Sequence, residues 1–312
     1  AFAIVWRNLG IGYFNIAQKP ATARAAYEKA FRANPHDARL LYERDQLWKR
    51  LGVAPLKRLK ELTRHPALVA RRDDLSVEIC ALFNQTGRTA EAAQILATRK
   101  FQPWEGGEGQ ALGQHVRTAL TQGRTALARR DFAAAVARFR HALTAPANLS
   151  EAKHLLANQS DIHFWLGEAL AQSGDPAAAK RHWLEAASFR GDFQDMAVRA
   201  FSEMTYYSAL AWQRLGQKTK AARLLRDLLA YAQKLQKAPA KIDYFATSLP
   251  TMLLFNEDLQ FRQETTALFL QAQARLGLGQ KAPARRLLKT VLQRDPNHAL
   301  ASDLVAELTS PK

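Results

Sequence analysis

Apolar residues recur at three- and four-residue spacing over most of this chain, and no stretch keeps the alternation expected of a half-buried strand. The first residues set the pattern, with Phe2, Val5, Trp6 and Leu9 on one helical face. Amphipathic stretches then come in pairs, each pair joined by a Gly or polar turn, in most of them with a small residue five positions beyond it. Such turns fall at Gly52, Gly87, Arg130-Asp131, Gly174, Gly216 and Gly279. They are roughly 35 to 44 residues apart, except for a longer step between Gly216 and Gly279. One helical hairpin cannot bury its own apolar face, whereas stacked hairpins can, so the pattern predicts an all-α solenoid of about seven hairpins with insertions. Ala23, Ala92, Ala135, Ala179, Ala221 and Ala284 mark the closest approach of paired helices, where a larger side chain would overpack by roughly 1–3 kcal/mol. Tyr27, Phe139 and Trp183 are expected to fill the gaps between neighbouring hairpins.

The letters at the two ends are more specific. Trp6, Leu9, Gly10 and Tyr13 spell W-x2-L-G-x2-Y, followed by Ala23, Tyr27, Ala30 and Pro35. This resembles the tetratricopeptide repeat (TPR) signature with one extra turn residue. Gly279, Ala284, Leu288, Val291 and Pro296 repeat the spacing at the other end, after a helix containing Leu268, Ala272 and Arg275. The resemblance implies a right-handed superhelix with a concave face lined by the first helix of each hairpin. Residues 1–312 then form one solenoid: 1–66 N-terminal repeats, 67–233 central repeats, and 234–312 an insertion plus the C-terminal repeat. The pentatricopeptide repeat, which reads RNA, has a similar period, but the bulky start and Pro35 and Pro296 favour the TPR assignment. Ala1 is not an initiator Met, and the chain is read as a fragment of a longer polypeptide.

Two segments break the repeat. In the first, a helix end at Arg99-Lys100 runs into a loop holding Trp104, Glu105, Gly106, Gly107, Glu108 and Gly109. Its glutamates could serve as a ligand-facing carboxylate pair. A turn with positive-φ glycines, a packed Trp104 and acids near the next helix start explains the same residues and is preferred. The second segment, from Lys241 to Leu259, gathers Tyr244, Phe245, Leu249, Met252, Leu253, Leu254 and Phe255 around Pro250. It reads as extra core, with a docking insertion as the alternative, and Asn256, Glu257 and Asp258 suit the start of the following helix.

Composition narrows the functional classes. The 312 residues carry 45 Lys+Arg against 28 Asp+Glu, a net +17, with 47% hydrophobic residues, which is too apolar for a disordered basic tail. The single cysteine, Cys80, excludes a disulfide framework and, at the small-residue position of its hairpin, reads as an inert buried thiol in a cytoplasmic setting. No apolar run is long enough to span a bilayer. The eight histidines form no H-E-x-x-H, and neither a G-x-S-x-G elbow nor a phosphate-binding glycine loop occurs. No cofactor, metal or catalytic residue is therefore assigned, and the segment is read as non-enzymatic.

A wider resemblance rests on LWKRLG (47–52), PWEGGEG (103–109), APANLSEA (145–152) and DYFATSLPTMLLFNEDL (243–259). These are similar to the TPR half of large bacterial proteins of unknown function that carry an N-terminal β-sandwich resembling aldose epimerases. The resemblance implies a missing N-terminal domain and a carbohydrate-related role, and transfers no catalytic residue. The leading reading is a protein-interaction scaffold. Its groove would be lined by Arg7, Asn15, Tyr42, Gln46, Lys49, Arg50, Asn84, Gln85, Arg117, Arg124, Glu168, Tyr206, Gln213 and Arg214. It would bind a protein or peptide partner, or the missing domain. The alternative is the helical part of a carbohydrate-active protein with the Trp104–Gly109 loop at a sugar site. Nucleic-acid binding ranks third, because much of the surplus charge falls on second helices, in runs such as Lys57, Arg58, Lys60 and Arg64, which are expected on the convex surface.

Overall fold

A computed structural model describes residues 2–102, 104, 106–189, 191–194, 197–241 and 254–309. Fourteen of its helices pair into seven hairpins: α1 (Ala3–Asn15) with α2 (Pro20–Ala33), α3 (Ala38–Arg50) with α4 (Pro55–Leu62), and α6 (Asp73–Gln85) with α7 (Thr89–Thr98), the one-turn α5 (Pro66–Val69) lying between the last two pairs. The series continues with α8 (Gln110–Ala128) and α9 (Phe132–Ala142), α10 (Ser160–Gln172) and α11 (Pro176–Ser188), and α12 (Thr205–Arg214) and α13 (Lys218–Lys237). It ends with α14 (Leu259–Gly277), α15 (Lys281–Arg294) and a final helix, α16 (Ala299–Thr309). The expected all-α solenoid of stacked hairpins is the fold observed. One departure is a short antiparallel pair after α11, β1 (Asp192–Gln194) and β2 (Ala197–Arg199), which no alternating pattern announces.

Local chemistry explains the punctuation. Pro20, Pro55, Pro66 and Pro176 open helices at positions whose N–H would have no intrahelical partner. Asp37, Asp131, Asp175 and Asp258 accept hydrogen bonds from first-turn amides. At the inter-helix turns Gly52, Gly87, Gly174, Gly216 and Gly279 adopt φ between 66° and 90°, and Arg130 takes the same left-handed role at φ 62°.

The six alanines at the predicted close approaches are all fully buried. The aromatic residues do something different from the expectation. Tyr27, Phe139 and Trp183 lie across a glycine in the first helix of their own hairpin, respectively Gly10, Gly123 and Gly167. A Cβ there would fall 2.4–2.5 Å from the ring. Only their far sides reach the next hairpin, as when Phe139 stacks on Trp165 or Tyr27 donates to Glu43. The glycine removes a side chain so that the ring can serve both interfaces.

Cys80 is buried, and burial pushes its thiol up to about 12, as suits an inert core residue. The apolar cluster read around Pro250 lies largely outside the described residues. Of its members Leu254 and Phe255 are described, and the Phe255 ring meets Phe14 and Tyr27 edge-on at 5.2 and 5.5 Å.

Candidate functional site

The array curls until its two ends touch, across the helices expected to line the groove. Residues 254–258 and 296–309 meet the first four hairpins. Asn15 Nδ2 donates to the Leu254 carbonyl at 3.0 Å, and the Asn256 amide donates back to Asn15 Oδ1 at 2.9 Å. Arg50 pairs with Glu257 at 2.8 Å. Gln85 donates to the Pro296 carbonyl at 2.9 Å, and Arg58 Nη1 donates to Asn297 at 2.8 Å.

At the centre of this seam α16 packs beside α6, and α8 reaches it through two arginines. Arg117 makes a two-pronged contact with Asp303, Nε to Oδ2 at 2.8 Å and Nη2 to Oδ1 at 2.7 Å. Two turns on, Arg124 Nη1 lies 3.0 Å from Glu307 Oε1 without hydrogen-bond alignment, so this pair is held by charge alone. Asp303 and Glu307 are four apart and so share a helix face, and both helices advance in the same direction through the two contacts. The other face of α16 is apolar, with Ala301 and Leu304 buried in the cluster that includes Phe269, Leu288 and Val291. Between α8 and α16 remains a cavity of about 260 Å³, lined among others by Arg117, Arg124, Asp161, Tyr207, Gln273 and Asp303. Burial raises the Asp161 carboxyl to about 6 and the Glu307 carboxyl to about 7, partly offset in each case by Arg124.

The remaining groove candidates are also engaged within the chain. Arg7 holds Glu43 by two hydrogen bonds of 2.6 and 2.7 Å. Gln46 and Lys49 both donate to Glu78. Asn84 donates to Gln114 and accepts from Thr118. Glu168 receives both arms of Arg214, and Gln213 donates to the Gly277 carbonyl. Tyr206 is buried against Tyr207, and Tyr42 lies half-buried under the Arg72 guanidinium. The open polar groove expected from the sequence is thus a set of inter-hairpin ties, with Asn15, Arg50, Gln85, Arg117 and Arg124 brought together by the seam.

Arg58 is a further correction. Expected on the convex surface, it is 1% exposed and clamped by Asp45, Glu78 and Asn297. Burial works against its charge, but Glu78 and Asp45 hold the guanidinium firmly protonated. The same burial opposes charge on Glu78, where Lys49 and Arg58 outweigh it and keep the carboxyl well below the usual range.

The glycine loop assembles with the second family-like motif. Trp104 lies over Gly107, whose added Cβ would collide with the indole, and packs on the first core cluster. Glu105 lies outside the described residues, and Glu108 is exposed. Among the described residues the carboxylate that caps α8 is Glu151, accepting from the Gly109 and Leu112 amides at 2.8 Å each. Asn148 closes the other side by donating to the Leu96 and Arg99 carbonyls. The two motifs therefore form one interlocked joint between hairpins.

Histidines bring a pH-sensitive contact. His163 and His182 face each other with Nδ1 atoms 3.0 Å apart, so one ring must be the acceptor. Burial, then His182 and Lys153, lowers His163 to about 4; burial, then Arg140 and Arg181, lowers His182. A folded-state pKa below the ordinary 6.5 gives stability that is present above pH 6.5 and lost as pH falls towards 4. Urea midpoints measured over that range should fall less steeply for His163→Gln than for the wild type. Parallel curves would mean the pair contributes nothing to acid sensitivity. Among the described residues no group of three or more His, Cys, Asp or Glu is placed to hold a metal ion, and no helix is long and apolar enough to cross a membrane.

Residues 266–298 match the family model of the tetratricopeptide repeat. The matched repeat takes in most of α14, all of α15 and the turn into α16, and includes Pro296 and Asn297 of the seam. Among solved structures, the chain is similar to the P58(IPK) TPR domain, at 15% identity over 99% of both chains with a TM-score of 0.32. It is also similar to a tetratricopeptide repeat protein from Parabacteroides merdae, at 12% identity over 97% of both chains with a TM-score of 0.47.

Proposed function

We propose that this chain is a non-catalytic protein-interaction scaffold whose concave face binds a segment of a partner, or of a further domain of the same polypeptide. The observation that supports this most directly is that the face already holds a helix. Arg117 and Arg124 grip the acidic side of α16, so their position and charge suit a helical segment. Helical repeat arrays present such inner surfaces because each hairpin contributes one helix to a common concavity.

The carbohydrate reading has less to rest on. A sugar-stacking platform needs an exposed aromatic face, and the Trp104 ring is spent on Gly107 and the core.

Selecting a random peptide library on the full chain provides the test. Binders are expected, and their capture should drop at least tenfold on an Arg117→Glu/Arg124→Glu variant with unchanged circular dichroism. A library without binders, or binders that ignore both substitutions, would count against the groove.

A further inference from the structure

Resting on the scaffold reading, we infer that α16 is a built-in occupant of the groove, and that the partner which displaces it is an amphipathic helix carrying two carboxylates four residues apart. Three features of the seam lead there.

The first is charge complementarity with a defined register. Asp303 meets Arg117 and Glu307 meets Arg124, in the same order along both helices. A competing helix must reproduce that pair and run parallel to α8. Residues at i and i+4 lie about 6 Å apart along a helix axis, which the long Arg side chains, two turns apart, can converge upon.

The second is where the apolar contacts lie. Leu304 and Ala301 are buried in a cluster built from the last three hairpins, which contains no residue of α6 or α8. What crosses the seam is mostly polar: Arg117 to Asp303, Arg124 to Glu307, Gln85 to the Pro296 carbonyl, Arg58 to Asn297 and Arg50 to Glu257. Phe255 supplies an aromatic contact. These buried charges need counter-charge, which a partner bearing its own carboxylates can supply to the arginines, whereas a shared apolar core would have to be torn open. The line of separation therefore falls between α16 and the α6–α8 face, leaving α16 as the cap of α15.

The third is imperfect fit. The cavity of about 260 Å³ sits beside this contact, and Glu307 Oε1 receives no hydrogen bond although it is buried. Asp161 on α10 and Asp303 on α16 both line that cavity, and both oppose the charge of Glu307. The internal occupant is thus held less tightly than a segment able to align its carboxylate with Arg124.

The probe is a fluorescent peptide copying residues 299–309, ALASDLVAELT, titrated into the full chain and followed by anisotropy. Wild type should bind it weakly, because its own α16 competes. An Asp303→Asn/Glu307→Gln variant, which keeps the shape of α16 but loosens its grip on α8, should bind at least tenfold more tightly. Adding Arg117→Met/Arg124→Met to that variant should abolish the gain. No gain on loosening α16, or a gain that survives loss of both arginines, would overturn the inference.

Should the quadruple variant unfold, wild type supplies the same decision. Excess peptide should speed amide hydrogen exchange across the seam, and a peptide with lysine at both acidic positions should not; equal effects would reject the charge register. Library peptides that bind without the spaced acids would also reject this inference while leaving the scaffold reading intact. A library with no binders would remove both.

Discussion

Replacing Arg58 with Ala is expected to cost about 3–5 kcal/mol of stability, because it strands two carboxylates in a space built for their counter-charge. Asp45 is 3% exposed and receives two Arg58 hydrogen bonds, of 3.0 and 2.5 Å. Glu78 receives a third at 2.7 Å, leaving Lys49 as its remaining cation. Burial already raises the Asp45 carboxyl against the pull of Arg58. With the guanidinium gone, Asp45 would take up a proton at higher pH, and stability would be recovered in part on acidification. Arg58→Lys should rescue little, since one ammonium cannot span Asp45, Glu78 and Asn297 with the fork geometry of a guanidinium. Chemical denaturation of the three proteins at pH 7 and pH 5 measures this. A loss under about 1 kcal/mol for Arg58→Ala would mean that water enters and solvates both acids.

Phe139→Ala should be of similar size, about 3–5 kcal/mol, for an apolar reason. Phe139 is fully buried, lies on Gly123 of α8, and stacks on Trp165 of the next hairpin at 6.4 Å between ring centroids. Removing the ring empties space on both sides of α9, and neither neighbour can close it. Gly123 has no side chain, and Trp165 is held by Phe164 as well. Thermal melts followed at 222 nm should show a clear drop in midpoint and a less cooperative transition, since the lost contact joins two repeats. Gly123→Val attacks the same contact from the other side by pushing the ring out. If Phe139→Ala melted like wild type, the interface between these hairpins would have to be carried by other residues.

The hairpins themselves were readable because their signals are local. Apolar spacing, a glycine or Arg130 in the left-handed region and an alanine five positions on act within one turn or one hairpin. The glycines under Tyr27, Phe139 and Trp183 were also present to be read, at 16 or 17 residues' separation, as a ring-on-glycine contact inside each hairpin. Arg58 and Glu151 were not. Each looks like an ordinary surface charge on its own segment, and becomes an ion-cluster centre or a helix cap only when another element arrives.

The seam marks the boundary most clearly. Arg117 and Arg124 could be picked out as groove residues from the repeat frame, but nothing near Asp303 or Glu307 says that these acids return to them across 186 and 183 residues. Closure depends on the small rotation between successive hairpins summed over the array, and a slight change in each step would leave the ends apart. The sequence by itself determined helix, turn and hairpin, since those rest on contacts between near neighbours. Only the tertiary structure decided that the inner face is occupied, because accumulated curvature is a property of the whole array.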